Sequence, residues 1–530
     1  MKRITKEKVK ALLSLGFLIA VESGIENIDS GFVASRLKNL KNQEPPLIIT
    51  AEVLEFLEFF PKVTINWVEL ERCLVLEQKY GNKKPLTKFK DYLTKNKHKL
   101  VIKNEKNKTA DTTPVKILKC FKTQPKKLTI ADFVDYFNFR YKAIEKILKQ
   151  RQELQNTVSI NRVLDKTDRE HISILGMVAE IRETKNNNLM LTLEDQTGSI
   201  KVVVSKNKPE LYESAKNVVL DEVIAINGVN GNKVVFANEL YWPDIPINTA
   251  LKKCSDDVYV AFLGDPHFGI TNFLKKEFGK FIRWLNGDLG GEKQRRIASK
   301  VRYVFIVGDL VEGAGIYPGQ EDELDINDIK EQYRVLLDYL DKIPKQIKII
   351  ICPGNHDAVR IAEPQPPIYE DFINTKKLPN LISVSNPALV NIHASDTFSG
   401  FNVLLYHGFS FPYYADVVDA IRTQGGLKRP DLIMRFLLQR RHLAPSHTST
   451  QYIPVPDYDP LVIDIVPDFF VTGHIHRVAV SSYRSVTLLN CSCWLSSTEY
   501  QEKRGIVPEP CRVPVVSLKT REVTIMKFGD

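Results

Sequence analysis

Cysteine, methionine and tryptophan are scarce in this chain, at 7, 5 and 4 of 530 residues. The seven cysteines (Cys73, Cys120, Cys254, Cys352, Cys491, Cys493 and Cys511) are odd in number and form no CxxC pair, so neither a disulfide framework nor a zinc ribbon is indicated. Long apolar runs are missing too. None approaches the ~20 residues that cross a bilayer, and the amino-terminal MKRITKEKVKALLSLGFLIAVESG carries no signal-peptide cleavage site. The expectation is a soluble, non-secreted protein of the cell interior with no membrane partner. The rest is ordinary globular material: 43% apolar and 26% charged residues can build real cores, which excludes disorder, collagen and small disulfide scaffolds. At ~100 to 200 residues per domain, the length predicts two to four domains.

The net charge of +10 is unevenly placed. Between Lys79 and Lys127 stand 16 lysines against three acids (Asp91, Glu105, Asp111), a local excess of 13 that is larger than that of the whole chain. The middle of that stretch, TKNKHKLVIKNEKNKTADTTP, is too polar to bury much surface, which predicts a flexible basic linker over residues 76–127. It reads either as a solvated spacer or as a tether drawn to a polyanion such as nucleic acid.

Residues 1–75 show helical periodicity in Val9, Leu12 and Leu13 and again in Val53, Leu54, Leu57 and Phe60, predicting a small helical module with no visible chemistry. Residues 128–250 begin with a capping-box pattern, Thr129 and Asp132. It opens a helix with Phe133, Phe137, Tyr141, Ile144 and Leu148 on one face. From His171 to Trp242 the pattern changes to five short alternating strands with a helical insert near Leu211, which suggests an OB-type barrel. Barrels of that type often bind single strands through surface aromatics; these strands are aromatic-poor, so docking of another protein is an equal reading. Residues 251–530 alternate apolar strands (VYVAFLG, YVFIVGD, IKIIICPG, NVLLYHG, FFVTGH) with helices, the pattern of an α/β layered domain.

Each of those five strands ends in a polar cluster, and strand ends in an α/β sheet converge where ligands bind. The clusters are Gly264-Asp265-Pro266-His267, Gly308-Asp309-Leu310-Val311-Glu312, Gly354-Asn355-His356-Asp357, Tyr406-His407-Gly408 and Gly473-His474-Ile475-His476. Five of the ten histidines of the chain fall in them. Carboxylate, imidazole and amide oxygen suit Mn²⁺, Mg²⁺, Fe²⁺ or Zn²⁺, and the absence of thiolates argues against a structural zinc. Strand-like alternation would send His474 and His476 to one face, whereas a turn would aim them at two ions. Any one cluster alone could be a turn with a satisfied histidine; five in order, each after a hydrophobic strand, form a metal constellation.

These motifs resemble the calcineurin-like metallophosphoesterase superfamily, whose pattern runs D-x-H, G-D-x-x-(D/E), G-N-H-(D/E), H and G-H-x-H. The resemblance implies that Asp265, His267 and His476 hold one metal and that Asn355, His407 and His474 hold the other, with Asp309 bridging the two. It further implies that two divalent ions, Mn²⁺ foremost, polarise a phosphodiester and lower the pKa of an attacking water. His356 would serve the leaving oxygen, with Glu312 orienting its imidazole. The arginine that protein phosphatases of the superfamily carry after the acidic residue is missing, since Gly313 and Ala314 follow Glu312. A diesterase is therefore favoured.

Beyond the ligands, VEGAGIYPGQEDELDINDIKEQY, GNHDAVRIAEPQPPI, LLQRRHLAPSHT and LLNCSCWLSSTEYQ are similar to the small subunits of archaeal DNA polymerase D, over about residues 129 to 530. Cys491 and Cys493 stand where small residues are expected before Trp494, and Pro266 separates the first two ligands; neither removes a ligand. The resemblance implies a 3′–5′ proofreading exonuclease subunit, cytoplasmic and nucleoid-associated, acting on a DNA 3′ end. It also implies a large polymerising subunit as partner, with the sliding clamp as a further candidate. Docking of that subunit is expected on the barrel, the DFVDYF helix and the segment from Trp494 to Tyr500. The alternatives are a non-catalytic scaffold subunit and a free-standing repair nuclease of the same superfamily; the barrel ahead of the phosphoesterase domain argues against the latter.

Overall fold

The computed structural model describes residues 114–122, 127–247, 249–497 and 507–529, with the backbone of four two-residue strands nearer the amino terminus. The chain divides into two units, 1–111 and 112–530. In the first, Leu18–Ile19 pairs in parallel with Ile48–Ile49, and Thr64–Ile65 pairs antiparallel with Val101–Ile102. The helical module expected over residues 1–75 lies otherwise outside the described residues.

The second unit opens on β1 (Val115–Cys120), which pairs antiparallel with Ala388–Ile392 at the edge of a sheet. The flexible-linker reading therefore fails over this segment, and Val101–Ile102 lies in a strand as well. The physical reason is scale. A charge count over a long window hides the short β-branched run of VKILKC, whose backbone finds an open sheet edge.

Helix α1 (Ile130–Leu148) starts where expected: the Asp132 carboxylate accepts from the Thr129 backbone N–H at 2.7 Å and from its hydroxyl at 2.8 Å. Tyr141, Ile144 and Leu148 are buried as expected, but so are Tyr136 and Arg140, which the periodicity did not single out. After a short α2 (Ile160–Leu164), five strands form a closed barrel: β2 (His171–Glu183), β3 (Leu189–Asp195), β4 (Gly198–Val204), β5 (Val223–Asn230) and β6 (Val234–Tyr241). Neighbours run β6-β4-β3-β2-β5, closing on β6, and β4 lies parallel to β6. The expected insert is α3 (Pro209–Ala215), between β4 and β5. Ile174, Leu191, Leu193, Val202, Ile226 and Val235 fill the interior.

The remaining chain is a four-layer α/β domain. One six-stranded sheet contains β7 (Tyr259–Gly264), β8 (Val301–Val307), β9 (Lys348–Cys352) and a third parallel neighbour, β10 (Leu381–Ser383), and is completed by two antiparallel strands, Arg512–Ser517 and Val523–Lys527. The other contains β1, β11 (Ala388–Ile392), β12 (Phe401–Leu405) and β13 (Phe469–Thr472), with Val486–Asn490 and Ala479–Tyr483 beyond. Strand alternation explains the layers. Val260, Phe262, Phe305, Val307 and Ile350 point into the core between the sheets, while Ala261, Leu263, Val304 and Ile306 point outward to helices such as Lys275–Leu285 and Ile329–Leu340. Trp494 belongs to that outer core. It is 1% exposed and meets Phe278 edge-on at 4.8 Å, so the expected docking segment begins inside the protein, not on its surface. Tyr500 lies outside the described residues.

Two buried ion pairs lock the barrel side of this unit to the α/β domain. Arg440 bonds Glu222 at 3.0 Å while its guanidinium lies 3.6 Å over Phe436 and 4.4 Å over Trp242. Arg140 bonds Asp459 at 2.9 Å, and the same carboxylate accepts from Tyr136 Oη at 2.6 Å and meets His442 Nε2 at 2.8 Å. The Ala444 N–H donates to His442 Nδ1, so the neutral ring carries its proton on Nε2. Burial and the charge of Arg140 hold His442 at about 4, against an ordinary ~6.5. The unfolded chain then takes up a proton that the folded chain refuses, so this contribution to stability is complete above about pH 6.5 and is lost as pH falls toward 4. The melting temperature should accordingly drop over that interval, and drop less in His442→Gln. Equal slopes for the two chains would remove His442 as the cause.

Candidate metal centre

Parallel β7, β8 and β9 deliver three of the expected clusters to one edge of their sheet, and parallel β12 and β13 deliver the other two. All nine expected residues, Asp265, His267, Asp309, Glu312, Asn355, His356, His407, His474 and His476, sit in the loops that follow these strands. Three groups come within ligand distance of one another: Asp265 with His267 and His476; His267 with Asp309 and His356; Asp309 with His407 and His474. Asp309 and His267 each belong to two groups.

The distances fix the arrangement. His267 Nε2 is 3.1 Å from His476 Nε2 and 3.7 Å from Asp309 Oδ2. On the other side, His407 Nε2 is 3.2 Å from Asp309 Oδ2 and 3.1 Å from Asn355 Oδ1. His474 and His476 occupy the turn geometry, with φ of 67° and 55°, and fall in different groups. Asp265, His267 and Asp309 also hold positive φ, at 48°, 49° and 47°. Five non-glycine residues in the left-handed region within one site are a concentration of backbone strain, which persists only where the surroundings impose it. Two glycines make room: a Cβ on Gly308 would stand 2.0 Å from His407 Nδ1, and one on Gly354 would stand 2.3 Å from Asp309 Oδ1.

Glu312 anchors two rings. Its Oε2 is 2.7 Å from His267 Nδ1, its Oε1 3.5 Å from His356 Nδ1, and its backbone carbonyl 2.9 Å from the same His356 nitrogen. The His356 backbone N–H donates to Asp309 Oδ1 at 2.9 Å. Electrostatics follow from these contacts. Burial lifts the Asp265 carboxyl to about 7. Burial works against the charge on His356 and His407, yet Asp309 and Glu312 together outweigh it at His356, and Asp309 and Asp265 together at His407, raising them to about 10 and about 9. His474 is pushed down to about 3 by burial and the positive His407.

Several supporting residues lie outside the expected ligand and catalytic set. Asp357 Oδ2 accepts from the Gly354 and Leu310 N–H groups, and its other oxygen accepts from the Tyr333 hydroxyl at 2.8 Å, which ties two of the loops together. Gln320 donates to Glu312 Oε1 at 2.8 Å. Gln365 and Asn386 sit behind the Asn355 and His407 loops. Asp357 was within view, as the last letter of GNHD; the others are single amides with no spacing signal.

The donors present, carboxylate, imidazole and one amide oxygen in a buried pocket without thiolate, fit hard or borderline divalent ions. Residues 258–478 match the model of the calcineurin-like phosphoesterase family, the class to which this fold and site belong. Similarity to whole proteins reaches further along the chain. The DNA polymerase II small subunit of Methanothermobacter thermautotrophicus is 40% identical over 389 residues, 73% of this chain and 78% of the relative. That of Archaeoglobus fulgidus is 39% identical over 401 residues, 76% and 78% of the two chains, and that of Pyrococcus furiosus is 36% identical over 402 residues, 75% and 63%. The chain belongs to this family, the small subunits of archaeal DNA polymerase II, the family D polymerases. Among the described residues, no helix is long and apolar enough to cross a membrane.

Proposed function

We propose that this chain is the 3′–5′ exonuclease subunit of a family D DNA polymerase and removes mismatched 3′ ends by metal-dependent phosphodiester hydrolysis. The observation that carries this reading is the run of adjoining ligand groups in which Asp309 stands with His407 and His474 on one side and with His267, itself grouped with Asp265 and His476, on the other. Asp265, His267 and His476 would hold one ion, Asn355, His407 and His474 the other, with Asp309 between them. Two divalent ions, Mn²⁺ foremost, would supply Lewis-acid charge and a water of lowered pKa. The chain supplies the rest. Glu312 orients His267 and His356 through the contacts described, and His356 is the group placed to give a proton to the leaving oxygen. The deciding assay is degradation of a 5′-labelled primer with a mismatched 3′ end, in Mn²⁺, Mg²⁺ and chelator. No metal-dependent shortening by the full chain would favour the scaffold reading instead.

The preference for diesters has a steric side. Gly313, where phosphatases place an arginine, has φ of 79°, and a Cβ there would lie 2.5 Å from the His356 carbonyl. One charge-assisted clamp is worth ~1.5–3 kcal/mol, so its absence should disfavour phosphoserine peptides by ~10- to 100-fold relative to phosphodiesters. Equal rates on the two substrates would reverse that assignment.

The barrel reads as an OB-type barrel by its strand order and by the helix between its third and fourth strands. Phe236 is the one large aromatic exposed on its described strands, which suits contact with a protein better than stacking of bases. On α1, Ile130 and Val134 are exposed one turn apart, a surface suited to the large polymerising subunit. DNA supplies the 3′ end, the sliding clamp is a further candidate partner, and the working compartment would be the nucleoid-associated cytoplasm.

A further inference from the structure

We propose that Asn386 and Gln365 are a pair of positioning residues that hold the loops of Asn355 and His407, and so shape one metal position while leaving the other alone. This rests on the metal-centre reading above. Both side chains are buried, and both are polar. Asn386 Oδ1 accepts from the His407 backbone N–H at 2.9 Å, and Asn386 Nδ2 donates to Gln365 Oε1 at 2.7 Å. Gln365 Nε2 in turn donates to the backbone carbonyl of Gly354, the residue before Asn355, at 2.9 Å. The chain of bonds starts on a backbone N–H and ends on a backbone C=O, so each amide has a single orientation that satisfies both of its neighbours.

The two residues are also clasped to each other through their backbones. The Gln365 N–H donates to the Asn386 carbonyl at 2.7 Å, and the Asn386 N–H donates to the Gln365 carbonyl at 3.0 Å. They therefore act as one rigid bridge between loops that lie far apart in sequence. What the bridge aligns is specific: Asn355 Oδ1 and His407 Nε2 meet at 3.1 Å, beside Asp309. The remaining set has contacts that neither amide makes, His267 with Glu312 and Asp265 with the His474 backbone N–H at 2.9 Å. Replacing either amide leaves a buried backbone group without its partner, and one of the two loops loses its fixed distance from Asp309.

The test is Mn²⁺ titration of the full chain by calorimetry in two backgrounds. His407→Ala leaves the Asp265 position, and His267→Ala leaves the Asn355 position. Gln365→Glu keeps the acceptor for Asn386 but removes the donor to Gly354. Added to His267→Ala, it should weaken Mn²⁺ binding ~10- to 100-fold, the scale for loss of an outer partner of a metal ligand, and added to His407→Ala it should change binding by less than ~3-fold. Asn386→Leu should repeat that pattern. Melting temperatures accompany both substitutions, and Gln365→Glu decides the matter if Asn386→Leu does not fold. Equal weakening in both backgrounds, or none in His267→Ala, overturns the bridge. Fewer than two Mn²⁺ on the unaltered chain instead overturns the metal-centre reading, and the proposal falls with it.

Discussion

Asp309→Ala should abolish hydrolysis of a 3′-mismatched primer, by ~10³-fold or more, since a two-metal clamp supplies several kcal/mol of charge stabilisation at ~1.4 kcal/mol per decade. The reason is position. Asp309 is 2% exposed, its Oδ2 lies 3.2 Å from His407 and 3.7 Å from His267, and it belongs to both sides of the centre. Burial works against its charge, but His407 and His356 hold the carboxyl well below the usual range, so it remains an anion among imidazoles. Manganese content measured on the same preparation should fall from two per chain to at most one. The fold should survive, because the sheets are held by the apolar layers on either side of Val304 and Phe305 rather than by this loop. Asp309→Asn is the sharper control: it keeps an oxygen to accept the His356 N–H while removing the charge. An unimpaired rate in either variant would sink the two-metal assignment.

Much of this site is legible in the sequence, and the reason is specific to its architecture. Strands buried on both faces read as apolar runs, and in a layered α/β domain their ends must face one another. Asp265, Asp309, Asn355, His407 and His474 could therefore be grouped from their place after five such runs. What sequence alone left open was the choice between alternation and a turn at His474 and His476, because positive φ at a histidine has no sequence signature. Gln365 and Asn386 were invisible for a different reason. Each matters only through a partner that folding brings to it, and one amide in PQPP or SNP has no period to detect. Arg140 was missed because charged residues are read as solvated, whereas here burial is balanced by Asp459. Trp494 is misplaced in the opposite sense: the sequence puts the segment from Trp494 to Tyr500 on a docking face, but the Trp494 ring packs among Phe278, Phe281 and Phe528.

His356→Ala should separate chemistry from metal binding. The imidazole sits with Nδ1 2.9 Å from the Glu312 carbonyl and its backbone N–H on Asp309, which leaves Nε2 as the nitrogen that can serve a leaving oxygen. A positioned acid contributes ~10²- to 10⁴-fold, so turnover of the mismatched primer should fall by at least ~10²-fold. The two expected ligand sets, Asp265 with His267 and His476 and Asn355 with His407 and His474, are both intact in this variant, so two Mn²⁺ per chain should remain. His356 also lies within ligand distance of His267 and Asp309, which makes the metal count the decisive measurement. Loss of an ion in proportion to activity would move His356 into the ligand set. A primer whose terminal linkage is a 3′-phosphorothiolate adds a second check, because its sulfur leaving group needs less protonation. The deficit of His356→Ala should shrink on that substrate if the imidazole gives a proton, and should stay the same if it merely holds the loop.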